Sequence, residues 1–416
     1  MAKKNPTILL VGTADTKMDE LRFIQSCIDG LNARHILMDV GVLEGGAGVD
    51  ISNTQVAAAA GFDMATIIGY NDENQAMSAM ALGASRLTKA LFERGEIDGL
   101  LILGGTMGTD LALDVANALP LGVPKVVLST VSYSPLIPTD RIPPDLTMIL
   151  WAGGLYGLNS LCKATLSQAA GAVVGAAQAV HLPTFDKPII GMTSLGKTCL
   201  KYMVRLKPEL EKRGFELVVF HTTGMGGRAF ESMAAQGVFA AVMDFSLQEL
   251  ANLLGGSAVH AGQSRLLGAA QSGTPQIVAP GAIDMIDMPT WSAVPDALKD
   301  AEIHVHNRLI SCASSPAQMR RQVAREIVAR MAQSTALSCF ILPLKGVQAW
   351  DKAGEPLCDE AAKTAFNEEL LDASAGKIDV VQLDAHINDD AFVDAALAIF
   401  DDWLARGLIK TKGAAA

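Results

Sequence analysis

The chain has 416 residues, 50% of them hydrophobic and 19% charged, with 44 acidic against 33 basic side chains. An isoelectric point near 5.1 argues against a nucleic-acid surface, which needs a basic stripe, and no apolar run approaches the ~20 residues that cross a bilayer. Six scattered cysteines without a C-x-x-C pair argue against a disulfide frame and for free, mostly buried thiols, so a cytoplasmic protein of two or three domains with large cores is expected.

From the first residues onward, apolar strand-like runs alternate with helical stretches, which predicts a parallel α/β architecture. The first five residues carry the charge of a signal peptide, but the apolar run Ile8 to Val11 stops at Gly12, too short for an h-region. In the first half, strands are predicted at Thr7–Val11, His35–Val40, Met64–Ile68, Leu100–Leu103, Lys125–Leu128 and Leu146–Leu150. A helix rich in small residues is predicted over Ser160–Val180, with Gly171 and Gly175 allowing close packing. The aperiodic, Pro-bracketed segment from His181 to Pro188 reads as a domain boundary. In the second half, strands are predicted at Pro188–Met192, Glu216–Phe220, Ala240–Met243, Gln276–Ala279, Ser338–Leu342 and Asp379–Leu383. The expectation is two Rossmann-like, doubly wound domains with mainly parallel sheets, residues 1–181 and 188–408, a linker at 182–187 and a flexible tail at 409–416. The cleft between the domains is the default ligand site.

The loops after the predicted strands carry the chemistry. Gly12-Thr13-Ala14-Asp15-Thr16-Lys17 opens the first helix with hydroxyls, a carboxylate and an ammonium, although a simple helix cap explains the same residues. Gly104-Gly105-Thr106-Met107-Gly108 follows another strand and suits an anion nest without matching a dinucleotide fingerprint. The Pro-rich loop 131–145 suits a lid or a dimer contact. Gly191 to Thr198 fits Gly-x4-Gly-Lys-Thr, in which backbone N–H groups cradle phosphate, Lys197 supplies a point charge and Thr198 holds Mg²⁺. A helix over Thr198–Arg213, kinked by Pro208, should follow.

Further along, His221-Thr222-Thr223-Gly224-Met225-Gly226-Gly227-Arg228 sets an imidazole beside a glycine nest, so His221 is a general acid/base candidate against a structural, hydrogen-bonded histidine. Asp244 resembles a Walker-B carboxylate or, equally, a cap for a helix over Leu247–Leu254. Pro280-Gly281-Ala282-Ile283-Asp284 suits a wall of the same cleft. His304-Val305-His306 has metal-like spacing but no third ligand, so no metal site is expected. Asp384 to Asp389 reads as a polar turn. No Gly-x-Ser-x-Gly elbow occurs, which removes the nucleophile from an α/β-hydrolase reading.

Taken in order, Gly12-Thr-Ala-Asp-Thr-Lys17, Asp39-Val-Gly41-Val-Leu43, Asp50-Ile-Ser52, Gly104-Gly-Thr106, Gly122-Val-Pro-Lys125 with Ser129-Thr130, Phe220-His-Thr-Thr-Gly224 with Gly226-Gly-Arg-Ala229, Ala279-Pro-Gly-Ala-Ile-Asp284, His306-Asn307 and His386-Ile-Asn-Asp389 form a recognisable set. Over nearly its whole length the chain resembles the tomato mosaic virus resistance-protein-like ATP-binding family. The resemblance implies two Rossmann-like subdomains, ATP binding with or without Mg²⁺, and a homodimer. Bacterial stand-alone members have no assigned reaction, and the further C-terminal barrel of plant members is not expected here. The family pattern keeps Gly191-Met-Thr193 and then varies, so Gly196-Lys197-Thr198 departs from it. Ser311 to Ser315 stands where an Arg-Thr pair is usual, and Gln348 replaces a serine, which points to a different substrate if those positions touch one.

The expected nucleotide contacts are therefore Gly12, Thr13, Thr16, Gly104, Gly105, Thr106, Gly108, Thr130, Gly191, Thr193, Lys197, Thr222, Thr223, Gly224, Gly226, Gly227, Pro280 and Gly281, with Asp15, Lys17 and His221 as catalytic candidates. Two functions fit: an ATP-binding enzyme acting on a small molecule, or a nucleotide-regulated protein that presents a surface to a protein partner.

Overall fold

A computed structural model describes residues 5–43, 45–179, 186–352, 354–355 and 357–411. The chain forms two compact units, residues 1–183 and 184–416. Residues 180–185, which hold the end of the predicted small-residue helix and most of the predicted linker, lie outside the described residues, as do 412–416 of the predicted tail. Ile409, assigned to that tail, is buried.

The N-terminal unit runs β1 (Thr7–Gly12), α1 (Ala14–Gly30), β2 (Arg34–Asp39), α2 (Asn53–Ala60), α3 (Met64–Gly69), α4 (Glu73–Glu93), β3 (Gly99–Gly104), α5 (Thr106–Asn117), β4 (Lys125–Ser129), β5 (Leu146–Leu150) and α6 (Ser160–Ala179). Its five strands lie in the order β2-β1-β3-β4-β5, all parallel. Both sheet faces are covered, which is why the strands read as continuous apolar runs. Leu9 and Val11 pack with Val56, Met80 and Leu111 on the face carrying α2, α4 and α5. Ile8 and Leu10 pack with Leu21, Ile24 and Leu166 on the face carrying α1 and α6.

Met64–Ile68, expected as a strand, is helix α3. Asp63 caps it by accepting a 2.7 Å hydrogen bond from the Thr66 amide, and Ile68 is exposed. A helix-initiating carboxylate thus outweighs a β-branched run too short to reach the sheet.

The C-terminal unit runs β6 (Ile189–Ser194), α7 (Lys201–Lys212), β7 (Glu216–His221), α8 (Met225–Ala235), β8 (Phe239–Ser246), α9 (Gln248–Leu254), α10 (Gly268–Ser272), β9 (Gln276–Gly281), β10 (Met285–Pro289), β11 (Ile303–Val305), β12 (Ile310–Ser314), α11 (Ala317–Met331), β13 (Ser338–Pro343), α12 (Glu360–Ser374), β14 (Asp379–Leu383) and α13 (Asp390–Ala405). Six parallel strands lie in the order β14-β13-β9-β8-β6-β7. Counted from β7, this repeats the order of the first unit and adds a sixth strand. Leu206, Leu210, Phe392 and Phe400 cover one face, and Leu250, Val323 and Phe366 cover the other. An antiparallel sheet, β10-β12-β11, is an addition that the alternating pattern did not predict. The helix expected from Thr198 begins only at Lys201, because residues 196–199 form a turn in which the Thr198 and Cys199 amides bond back to the Leu195 carbonyl, and α7 continues through Pro208. Among the described residues, no helix is long and apolar enough to cross a membrane.

Candidate functional site

In the N-terminal unit β1 lies between β2 and β3, so the chain crosses in opposite directions from its carboxyl end and leaves a crevice there. That crevice has a volume of about 490 Å³ and is lined by Thr13, Asp15, Thr16, Lys17, Leu43, Glu73, Met77 and the loop Leu103 to Gly108. Most of the predicted residues of this unit therefore meet. The Thr13 and Thr16 hydroxyls are 2.8 Å apart, and Lys17 Nζ donates to Thr16 Oγ1 at 3.2 Å. Lys17 departs from helical geometry inside α1, with φ −136° and ψ 24°. Asp15 accepts from the Leu43 amide at 3.1 Å and packs against Gly41, which ties its carboxylate to the neighbouring loop.

Helix α5 opens on the same crevice with Gly105 as its N-cap, which offers no side-chain partner. The Gly105 carbonyl accepts both the amide and the hydroxyl of Thr109. The first-turn amides of Thr106, Met107 and Gly108 have no intrahelical acceptor and carry the positive end of the helix dipole. Gly104 is packed so tightly that a Cβ there would lie 2.6 Å from Gly108 Cα. Thr130 follows β4 beside this loop, its amide donating to the Gly104 carbonyl at 3.3 Å. Gly12 belongs to β1 and is packed against Leu21 rather than exposed in the crevice. Buried Asp39, absent from the predicted site, accepts from the amides of Ala14, Gly41 and Gly46 at 2.9, 2.8 and 3.1 Å and so sets the start of α1. Its signal was a carboxylate closing the apolar run of β2.

The predicted residues of the C-terminal unit divide. Lys197, His221 and Thr223 line a cavity of about 520 Å³ with Asp287, His306, Asn307, Ile310, Cys312 and Trp350. The others are structural. Gly191, the first glycine of the phosphate-loop pattern, lies inside β6, where a Cβ would meet the Phe239 ring at 2.8 Å. Thr193 is buried and donates to Asp244 Oδ1 at 2.7 Å. Thr222 is buried and bonds the Ser194 carbonyl. The glycine nest is already filled: Glu249 Oε1 accepts from the amides of Gly224 and Gly227 at 2.6 and 3.1 Å. Gly226 is pressed against the His221 carbonyl, and Gly281, next to buried Pro280, against that of Phe245. Asp244, read as a Walker-B candidate, is neither a strand end nor a helix cap. It is fully inside β8 and bonded to Arg265.

Burial pushes the Asp287 carboxyl up to about 7, with the Gln248 amide pulling the other way. Burial, with Asp287 and Asp284 nearby, pushes the Cys312 thiol up to about 12, so it stays protonated. Asp287 and Trp350 were missed; a carboxylate alternating with Met285, Ile286 and Met288 in an apolar run was the available signal. Among the described residues, no group of three or more His, Cys, Asp or Glu is placed to hold a metal ion.

Residues 6–182 match the N-terminal domain, and residues 187–404 the C-terminal domain, of the Uncharacterised protein family (UPF0261). A UPF0261 protein of Brucella suis biovar 1 is 51% identical over 407 residues, 97% of each chain. The ToMV resistance protein Tm-1(GCR237) of Solanum lycopersicum is 29% identical over 428 residues, 95% of this chain and 55% of that protein. Among solved structures, a UDP-N-acetylglucosamine 2-epimerase aligns over 66% of this chain and 79% of its own at 10% identity, with a TM-score of 0.21.

Proposed function

The chain belongs to the uncharacterised protein family UPF0261 in both of its units, and we propose that its N-terminal unit binds ATP with the phosphates in the β1/β3 crevice. The observation that carries this reading is the uncapped start of α5 facing the same crevice as Lys17 and the Thr13 and Thr16 hydroxyls. Unpartnered amides at a helix N-terminus, an ammonium and hydroxyl donors are what a polyphosphate requires. Gly104 and Gly105 let the backbone approach without side chains in the way. Lys17 pairs with a phosphate oxygen, and the Glu73 carboxylate on the rim suits a Mg²⁺ carried in on the phosphates. The resemblance to an ATP-binding family supports the ligand, and the geometry supports the loop. The role of ATP is that of a bound ligand in an enzyme acting on a small molecule.

Calorimetric titration with ATP and Mg²⁺ tests the reading. Lys17→Ala loses a charge-assisted contact of about 1.5–3 kcal/mol, a roughly ten- to hundredfold loss of affinity, whereas Lys197→Ala leaves affinity near wild type. A loss confined to Lys197→Ala would move the phosphates to the C-terminal unit. Release of ADP in the same samples separates an enzyme from a protein that only binds nucleotide.

A further inference from the structure

The cavity of the C-terminal unit has a layered chemistry of its own. Asp287 on β10 pairs with Cys312 on β12, and Cys312 pairs with His304 on β11. Residues paired across antiparallel strands share a face, so carboxyl, thiol and imidazole stand in one row. Trp350 lies against the rings of His304 and His306, with centroids 5.0 and 5.6 Å apart, and walls the cavity together with Ile310. Its rim carries Lys197, His221, Thr223 and Asn307, all exposed and all able to donate hydrogen bonds.

At the floor, Asp287 is 6% exposed and is the one carboxyl among the residues lining this cavity. Its backbone is pinned on both sides, the amide donating to Asn252 Oδ1 at 2.8 Å and the carbonyl accepting from the Ser257 hydroxyl. A buried carboxyl on a pinned backbone that lines an open cavity is placed to meet a polar group of a ligand.

We propose that this cavity is a second ligand site, for a small organic anion. The anionic group, a carboxylate or a phosphate ester, sits at Lys197 and His221, the apolar body lies against Trp350 and Ile310, and a hydroxyl of the ligand bonds the Asp287 carboxyl. A volume of about 520 Å³ falls within the range of small-molecule sites. This assignment does not depend on ATP binding in the other unit.

Malate and glycerol 3-phosphate are the probes, one presenting carboxylate and the other phosphate ester beside a hydroxyl. Each is titrated calorimetrically into the full chain and into Lys197→Ala, Asp287→Asn and Lys17→Ala. Saturable binding of one probe is expected, weakened by about tenfold in Lys197→Ala and in Asp287→Asn and unchanged in Lys17→Ala. Which probe binds decides between carboxylate and phosphate ester. Because Lys197 is exposed, its variant keeps the wild-type melting temperature, and a binding loss there is not an unfolding effect. Saturation by neither probe, equal affinity in wild type and Lys197→Ala, or displacement of the probe by ATP would each overturn the proposal.

Discussion

Arg265 and Asp244 face each other through two parallel hydrogen bonds, Nη1 to Oδ2 at 2.5 Å and Nη2 to Oδ1 at 2.7 Å, with both side chains out of contact with solvent. The remaining donors of the guanidinium reach Glu231, Glu249 and the Ser246 carbonyl, so all five N–H groups are used. The carboxylates are satisfied in turn, Glu231 by the amides of Leu266 and Gly268 and Glu249 by those of Gly224 and Gly227. One cation thereby holds β8, α8, α9 and the Leu266–Gly268 segment together.

Arg265→Met leaves three buried carboxylates without their cation. Removing one partner of a buried ionic network costs about 3–5 kcal/mol. Urea denaturation of the variant should show a loss of that order, and a change below about 1 kcal/mol, the scale of an exposed pair, would mean that the network does not hold the unit together.

Gly104→Ala forces a Cβ to within 2.6 Å of the Gly108 backbone. The start of α5 must shift away from β3, at a cost of about 1–3 kcal/mol for overpacking and with weaker ATP binding. Gly108→Ala is the control, because its Cβ meets the Leu103 carbonyl at an ordinary 3.5 Å. Melting temperature measured on both variants should separate them; equal behaviour would count against the packing argument.

Asp39→Asn keeps the shape of the side chain but loses the charge that three amides share. The expected cost is about 1.5–3 kcal/mol, and amide hydrogen exchange at Ala14, Gly41 and Gly46 should accelerate. Unchanged protection at all three would show that Asp39 does not organise the crevice.

The Asp287 carboxyl goes from an ordinary 3.8 to about 7 on folding. Between those values the folded chain keeps a proton that the unfolded chain has released, so the contribution of this group to stability falls as pH rises through the window. Asp287→Asn removes that slope. Urea midpoints of wild type and variant should diverge with rising pH in favour of the variant, and parallel curves would contradict the raised value.

The alternation of apolar runs with helical stretches was enough to read twelve strand positions, and eleven of them are strands. The reason is physical: parallel strands buried on both faces, as β1 and β3 are, read as nearly continuous apolar runs, a pattern that needs no knowledge of neighbours. Met64–Ile68 failed because the Asp63 cap, a single polar residue outside the run, decides its conformation. The loops at the ends of β1 and β3 were legible as candidate ligand loops because the crevice of a doubly wound sheet lies at the carboxyl ends of its strands, and both loops line it.

Tertiary structure alone decided which loops are free. Glu249, in another helix, fills the nest that Gly224 to Gly227 seemed to offer, and Arg265 takes the carboxylate of Asp244. The row of Asp287, Cys312 and His304 exists only through the register of three antiparallel strands. A motif specifies which hydrogen bonds a loop is able to make. Whether the partner is a ligand or the protein itself depends on the packing of residues far away in the chain, which local sequence does not encode.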